Sequence, residues 1–137
     1  MKKVLFFSTL FIAISFYSCD KDKLHVDLNP NENSSFSGTF KTINSENLSG
    51  TVILNISNGY YECLTNLPFG HGAGKLEIQE TKINFIDTLF FAIPAIYGPS
   101  YVLSGEHFYM FDGENLKISR EKNVGSVEYD LQIERKN

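Results

Sequence analysis

The segment from Gly70 to Lys75, GHGAGK, has the glycine content and the lysine of a phosphate-binding loop. A P-loop needs four residues between its first glycine and the Gly-Lys pair, then Ser or Thr, and it opens a helix. Phe69 stands where the first glycine belongs, and Leu76 follows the lysine. We therefore expect no nucleotide site but a mobile loop over 68–74 between two strands. His71, the histidine on that loop, is a candidate ligand-binding residue.

The other residues that could do chemistry are scattered along the chain. His25, His71 and His107 are far apart, whereas a zinc site places His or Cys residues two to four positions apart. Glu128 and Asp130 share the outward face of a predicted strand, but glycoside hydrolysis needs two carboxylates that face one cleft. No Gly-x-Ser-x-Gly elbow occurs. We expect no metal, no cofactor and no enzymatic activity.

Cys63 leaves two interpretations open. It alternates with Tyr61 and Thr65 in a run that predicts a strand, which favours a small buried residue. The other interpretation is a reactive thiol, which as a Cys–His nucleophile would need a histidine base held beside it.

The segment from Phe90 to Tyr101, FFAIPAIYGPSY, is too apolar for an ordinary surface loop and too rich in proline for a central strand. One interpretation is a lid that folds over the core. The other is functional, with Tyr97 and Tyr101 at the mouth of a ligand pocket or in a protein-binding patch.

The first eighteen residues have the layout of a secretory signal peptide. Lys2 and Lys3 form a basic start, and the run from Val4 to Tyr17 is almost wholly apolar but too short to span a bilayer. The following residues, Ser18 and Cys19, complete the sequence FYSC, which is similar to the lipobox of bacterial lipoproteins. The resemblance implies that Cys19 is acylated and becomes the first residue of the mature protein, anchored to a membrane without spanning it. Ordinary cleavage near Ser18 and an uncleaved anchor are the alternatives.

Composition limits what the mature chain can bind. Removal of the two leader lysines changes the formal charge from −4 to −6, and no cluster of Lys and Arg is present, so we expect no nucleic-acid partner. Residues 19–35 are polar and predict a flexible tether. Residues 36–137 are long enough for one domain.

Short alternating segments and tight turns fill this domain. Asn58-Gly59 and Asp112-Gly113 are strong hairpin signals. The pattern predicts an all-β fold of about eight antiparallel strands, either a barrel or a β-sandwich. The predicted strands are 36–43, 51–57, 60–67, 75–79, 82–86, 101–111, 115–120 and 127–134.

The whole chain resembles the small exported lipoproteins of the Bacteroidota, and three short motifs add detail. Gly38-Thr39-Phe40 is similar to the Gly-x-Trp start of lipocalins and other calycin barrels, with Phe40 in place of Trp. The charged residues 20–23 after Cys19 resemble signals that send such lipoproteins to the cell surface. Asp87-Thr88-Leu89 matches the pattern that this group O-glycosylates, which implies a modified Thr88.

These resemblances imply a protein anchored in the bacterial outer membrane, facing either the periplasm or the cell surface. A calycin-like barrel implies a non-enzymatic module that binds a small apolar ligand in the barrel mouth, and a core filled by side chains is the alternative. Two rival hypotheses are an adhesion or interaction subunit that binds a surface protein, and an inhibitor that presents the 68–74 loop to a hydrolase.

Overall fold

The computed structural model describes residues 25–43, 48–68, 70–88, 103–122 and 125–134. The predicted signal peptide, Cys19, Tyr97 and Tyr101 lie outside these ranges. The described residues form eight β-strands: β1 (Ser34–Ile43), β2 (Ser49–Ser57), β3 (Tyr60–Thr65), β4 (His71–Gln79), β5 (Lys82–Asp87), β6 (Gly105–Phe111), β7 (Asn115–Lys122) and β8 (Gly125–Ile133). No helix that could cross a bilayer occurs within these ranges.

The strands form a closed antiparallel barrel. Each strand pairs with the next along the chain, and β1 also pairs with β8, from Phe36 opposite Ile133 to Ile43 opposite Ser126. Closure gives every strand two neighbours and removes the free edges of an open sheet. The predicted all-β, eight-stranded antiparallel barrel is confirmed, and the β-sandwich alternative is wrong. The architecture is compatible with a lipocalin-like fold.

The period-two alternation of the sequence divides each strand into an inner and an outer face. The inner faces supply an apolar core to which every strand contributes. Its largest fully buried side chains include Phe36, Leu54, Ile56, Ile83, Phe85, Leu116, Ile118, Tyr129 and Leu131. The outer faces carry polar side chains and ion pairs such as Lys41 with Glu128 at 2.9 Å.

Two glycines allow neighbouring strands to approach closely. A Cβ atom on Gly38 would lie 1.9 Å from the carbonyl oxygen of Asp130, where β1 meets β8. A Cβ atom on Gly74 would lie 2.0 Å from the carbonyl oxygen of Ile86. Gly38 therefore permits barrel closure, and the Phe40 that follows it packs inside the barrel against Tyr129, with ring centroids 5.8 Å apart.

The turns explain one success and one error of the sequence analysis. Asn58 and Gly59 both have positive φ, 52° and 77°, as the predicted hairpin turn requires. The predicted mobile loop over 68–74 is wrong in its second half, because β4 begins at His71. Its glycines hid the strand: Gly72 pairs with Cys63 and Gly74 with Tyr61, at buried positions where no side chain reveals the alternation.

Residues His25–Asn33, here called the strap, lie across one end of the barrel. The predicted tether extends to Ser35, and the structure shows its last part packed on the domain. Leu28 is only 4% exposed and joins the core. The Val26 N–H donates to the Phe111 carbonyl oxygen at 2.8 Å, and the Gly59 N–H donates to that of Pro30 at 2.8 Å.

The up-and-down path gives the barrel two unlike ends. The strap end carries the strap and the tight turns 58–59, 80–81 and 112–114. The opposite end, here called the polar end, carries the connections after β1, β3, β5 and β7. All four of these include residues outside the described ranges, namely 44–47, 69, 89–102 and 123–124.

Candidate functional site

Polar side chains collect inside the barrel toward the polar end. We call this group the inner polar cluster; it consists of Tyr61, Cys63, Asp87, His107, Arg120 and Tyr129. Five different strands supply these residues, because β3, β5, β6, β7 and β8 each place one or two of them on the inner face. Among the described residues, Thr42 and Tyr109 are the other buried residues with polar side chains, so most of the polar groups of the interior lie in this cluster. A few polar groups in mostly apolar surroundings are typical of sites that orient a small ligand.

Tyr61 is held in place by a hydrogen bond from its hydroxyl. Its hydroxyl donates to the Asp87 carboxylate at 2.8 Å and lies 3.1 Å from the carbonyl oxygen of Leu103. Burial raises the pKa of Tyr61, and the Asp87 carboxylate raises it further. The tyrosine stays neutral and its ring packs edge-on against Phe85, with centroids 4.9 Å apart. The Tyr61 hydroxyl is therefore already hydrogen-bonded within the protein.

Tyr129 differs from Tyr61 in this respect. It is 1% exposed, yet its hydroxyl has no hydrogen-bond partner among the described residues. Burial raises the pKa of Tyr129 well above its usual value, with Cys63 adding to the rise and the Arg120 charge opposing it. A neutral buried hydroxyl can donate one hydrogen bond and accept another, and leaving it unpaired costs about 1–3 kcal/mol.

Arg120 brings a cationic side chain into the same region. It is buried, and its Nη1 donates to the carbonyl oxygen of Ser104. Burial lowers the pKa of Arg120, while the nearby Tyr129 opposes that change. Because a guanidinium keeps its charge in proteins, Arg120 adds a buried cation to the cluster, and its charge influences Tyr129.

His107 and Cys63 complete the cluster. His107 is 1% exposed, its Nδ1 lies 3.0 Å from the Gly105 carbonyl oxygen, and its ring packs edge-on against Phe85 at 5.4 Å. Cys63 is fully buried, and burial raises the pKa of its thiol to about 12. A thiol with so high a pKa is a poor nucleophile at neutral pH. The structure therefore favours the interpretation of Cys63 as a small buried residue.

A second concave surface lies on the outer wall of the barrel. A groove of about 840 Å³ runs over the outer faces of β6, β7, β8 and β1. Phe108 and Met110, which are 55% and 48% exposed, form its apolar part. Charged and hydroxyl side chains form the remainder, including Thr39, Lys41, Lys117, Ser119, Glu128 and Asp130.

Two residues predicted as sites lie within the described ranges, and the fold keeps both apart from the inner polar cluster. His71 is on the outer face of β4, where its Nε2 lies 3.3 Å from a carboxylate oxygen of Glu62. Thr88 is exposed just after β5, and its hydroxyl lies 3.3 Å from the Ala73 carbonyl oxygen. Exposure of Thr88 is what a modification would require.

Arg120, His107 and Tyr129 are not predicted as site residues from the sequence, although a signal for Arg120 is present. Leu116, Ile118 and Arg120 are spaced two apart, so the inward face of β7 continues from two aliphatic residues to an arginine. A charged residue that continues an apolar face of a strand is unusual and is a signal worth following.

No group of three His, Cys, Asp or Glu side chains within the described ranges is arranged to hold a metal ion. No family model matches the chain, and no curated protein or solved structure is significantly similar to it. Function must therefore be argued from the barrel and its interior.

Proposed function

We propose that this protein is an envelope lipoprotein, anchored in the outer membrane through acylated Cys19, whose barrel binds a small and largely apolar ligand without catalysis. The observation that carries the proposal is the buried Tyr129 hydroxyl, which has no partner among the described residues and feels the charge of a buried arginine, Arg120. In this proposal the ligand supplies the missing hydrogen bond.

The arrangement of the interior supports recognition of one polar group on an apolar ligand. Binding sites for small molecules are mostly apolar, with a few polar groups that fix the orientation. The apolar surroundings are aromatic and aliphatic residues of the core such as Phe40, Phe85 and Ile118. The orienting groups are the Tyr129 hydroxyl and the Arg120 guanidinium. Eight strands enclose either a core filled by side chains or the space for one small ligand, and the proposal takes the second of these.

A fluorescent probe tests this binding directly. 1-Anilinonaphthalene-8-sulfonate has an aromatic, apolar body and one anionic sulfonate group. Its fluorescence increases when it leaves water, so we expect a saturable rise in fluorescence on binding to the folded barrel. Tyr129→Phe should weaken binding of the probe by about tenfold, which corresponds to one hydrogen bond of about 1.4 kcal/mol. Equal affinity in the variant and the parent protein would contradict the assignment of Tyr129.

The chain offers a matched control for that experiment. Tyr60 precedes Tyr61, lies on the outer face of β3 and is 55% exposed. Tyr60→Phe removes a tyrosine hydroxyl from the same strand region without touching the interior, so its affinity for the probe should equal that of the parent. Far-ultraviolet circular dichroism of each variant verifies that the barrel is intact.

The outer groove supports a second candidate, a subunit that binds another surface protein. Exposed Phe108 and Met110 are two residues apart, so both side chains lie on the outer face of β6. Exposed apolar residues of this kind are typical of protein interfaces. Phe108→Ser with Met110→Ser should leave the fold intact and abolish partner capture from envelope extracts. The hydrolase-inhibitor hypothesis is left with a shorter loop than predicted, because residues 71–74 are paired within the sheet.

A further inference from the structure

We infer that the barrel is held with its strap end toward the membrane and its polar end toward the aqueous compartment. This orientation rests on the proposed acylation of Cys19. It adds a direction to the proposed binding module: the inner polar cluster lies on the side of the barrel away from the lipid.

The short distance along the chain between the anchor and the strap is the first argument. Only five residues, Asp20 to Leu24, separate Cys19 from His25, the first described residue. Even fully extended, this stretch spans at most about 20 Å. The point at which the chain joins the barrel is therefore confined to the neighbourhood of the bilayer surface.

The second argument is that the strap joins the barrel at one defined end. The His25 ring lies on the Tyr109 ring, with centroids 5.3 Å apart, and the Val26 N–H donates to Phe111. Further along, Leu28 is buried in the core, and the Ser57 hydroxyl donates to the Asn33 side chain at 2.6 Å. These contacts prevent the strap from extending the tether, so the anchor pulls on the strap end.

The charged residues at the strap end indicate that the lipid anchor sets the orientation, and not an attraction between the protein surface and the lipid headgroups. Glu32, Glu80 and Glu114 are exposed in the strap and in two turns of this end. Carboxylates are repelled by anionic lipid headgroups, and that repulsion is screened by salt. The orientation should therefore persist, and not weaken, when the salt concentration is raised.

The barrel is tall enough for the orientation to be measured. Strands of about nine residues, tilted by about 40°, give a barrel roughly 20 Å high. The polar end should thus lie roughly 20 Å farther from the bilayer than the strap end. A ligand would exchange with the aqueous compartment and not by lateral transfer from the lipid.

Site-specific fluorescence quenching tests the orientation. Single cysteines replace exposed residues at the two ends, Thr81→Cys at the strap end and Glu121→Cys near the polar end, with Ile53→Cys midway along β2. Buried Cys63 does not compete for the label, because the pKa of its thiol is about 12. The full-length protein is produced in a host that processes lipoproteins and reconstituted into vesicles of phosphatidylcholine and anionic phosphatidylglycerol that carry nitroxide headgroups.

The expected result is that quenching decreases in the order Thr81→Cys, Ile53→Cys, Glu121→Cys, at both 0.1 M and 1 M salt. Equal quenching at the two ends, or the reverse order, would overturn the orientation and leave the proposed ligand binding intact. Protein that fails to float with the vesicles would overturn the anchoring itself together with the orientation. Binding of the fluorescent probe in solution, measured on the same samples, distinguishes these failures from a failure of the ligand site.

Discussion

The two ends of this barrel differ in the side chains that occupy the interior. At the strap end the aliphatic side chain of Leu28 closes the interior, and backbone hydrogen bonds tie the strap to Phe111 at the end of β6 and to Gly59 in the turn after β2. At the polar end the interior holds Tyr61, Arg120 and Tyr129, and the Tyr129 hydroxyl has no partner among the described residues.

The hydroxyl of Tyr109, whose ring contacts His25 of the strap, has no partner among the described residues either, so the buried arginine is what distinguishes the polar end. Apolar burial stabilises a fold, whereas a buried polar group without a partner calls for an explanation. We infer that the strap end stabilises the fold and that the polar end binds the ligand.

The strongest test of this division removes the buried side chain of the strap. Leu28→Ala should destabilise the protein by about 2–5 kcal/mol, because it leaves a cavity in the core. The free energy of unfolding from urea titration measures the loss. Val26→Ala is the matched control, because Val26 is 37% exposed in the same strap and its loss should have little effect.

Neither variant should change the affinity for the fluorescent probe at temperatures where it remains folded. Weakened binding in Leu28→Ala would show that the two ends are coupled.

Alkaline pH should act on the polar end. Burial raises the pKa of Cys63 from 9.0 to about 12, so above pH 9 the unfolded chain releases a proton that the folded protein retains. Stability is therefore complete below pH 9 and falls as the pH rises toward 12. For this one group the loss at pH 11 is about 2–3 kcal/mol.

Cys63→Ala isolates this contribution. The variant should lose less stability than the parent between pH 8 and pH 11, whatever its stability at pH 8, as measured by urea unfolding at each pH. Parallel curves for the two proteins would contradict the burial of a neutral thiol.

Within the polar end, the two inner tyrosines should respond differently to loss of the hydroxyl. Tyr61→Phe should cost about 1–3 kcal/mol, since the Asp87 carboxylate loses the hydroxyl that donates to it. Thermal unfolding measures the difference. Unchanged stability would show that this hydrogen bond adds nothing to the fold.

The smallest effect on stability is expected for Tyr129→Phe. Its hydroxyl has no partner among the described residues, so its removal should change the free energy of unfolding by less than about 1 kcal/mol and in the stabilising direction. The same variant should bind the probe about tenfold less tightly. A residue that matters for binding and not for stability is the pattern expected of a recognition group.

The sequence predicted the architecture well because alternation and turn chemistry are local signals. Val127, Tyr129 and Leu131 alternate with acidic residues or glutamine, and both glycine-containing hairpin signals fall on observed turns. The start of β4 was missed because Gly72 and Gly74 occupy its buried positions and carry no hydrophobic signal. The strap was missed because a single leucine, Leu28, holds a polar segment to the core.

The inner polar cluster was harder to predict, since its members come from five strands. Alternation places Arg120 and His107 on inward faces, but strand tilt and register decide which inward residues meet. The hydrogen bond from Tyr61 to Asp87 depends on the pairing of both residues with Gly74, on the strand between them. The spacing of residues along the chain gives no signal for such a relation between three strands.

Native mass spectrometry of the mature protein, extracted from the membranes of its own host, tests the central claim most directly. We predict a stoichiometric noncovalent mass above that of the acylated chain, retained in Tyr60→Phe and diminished in Tyr129→Phe. Protein that carries only its acyl groups, in every preparation and with no response to added apolar compounds, would contradict a ligand-binding barrel.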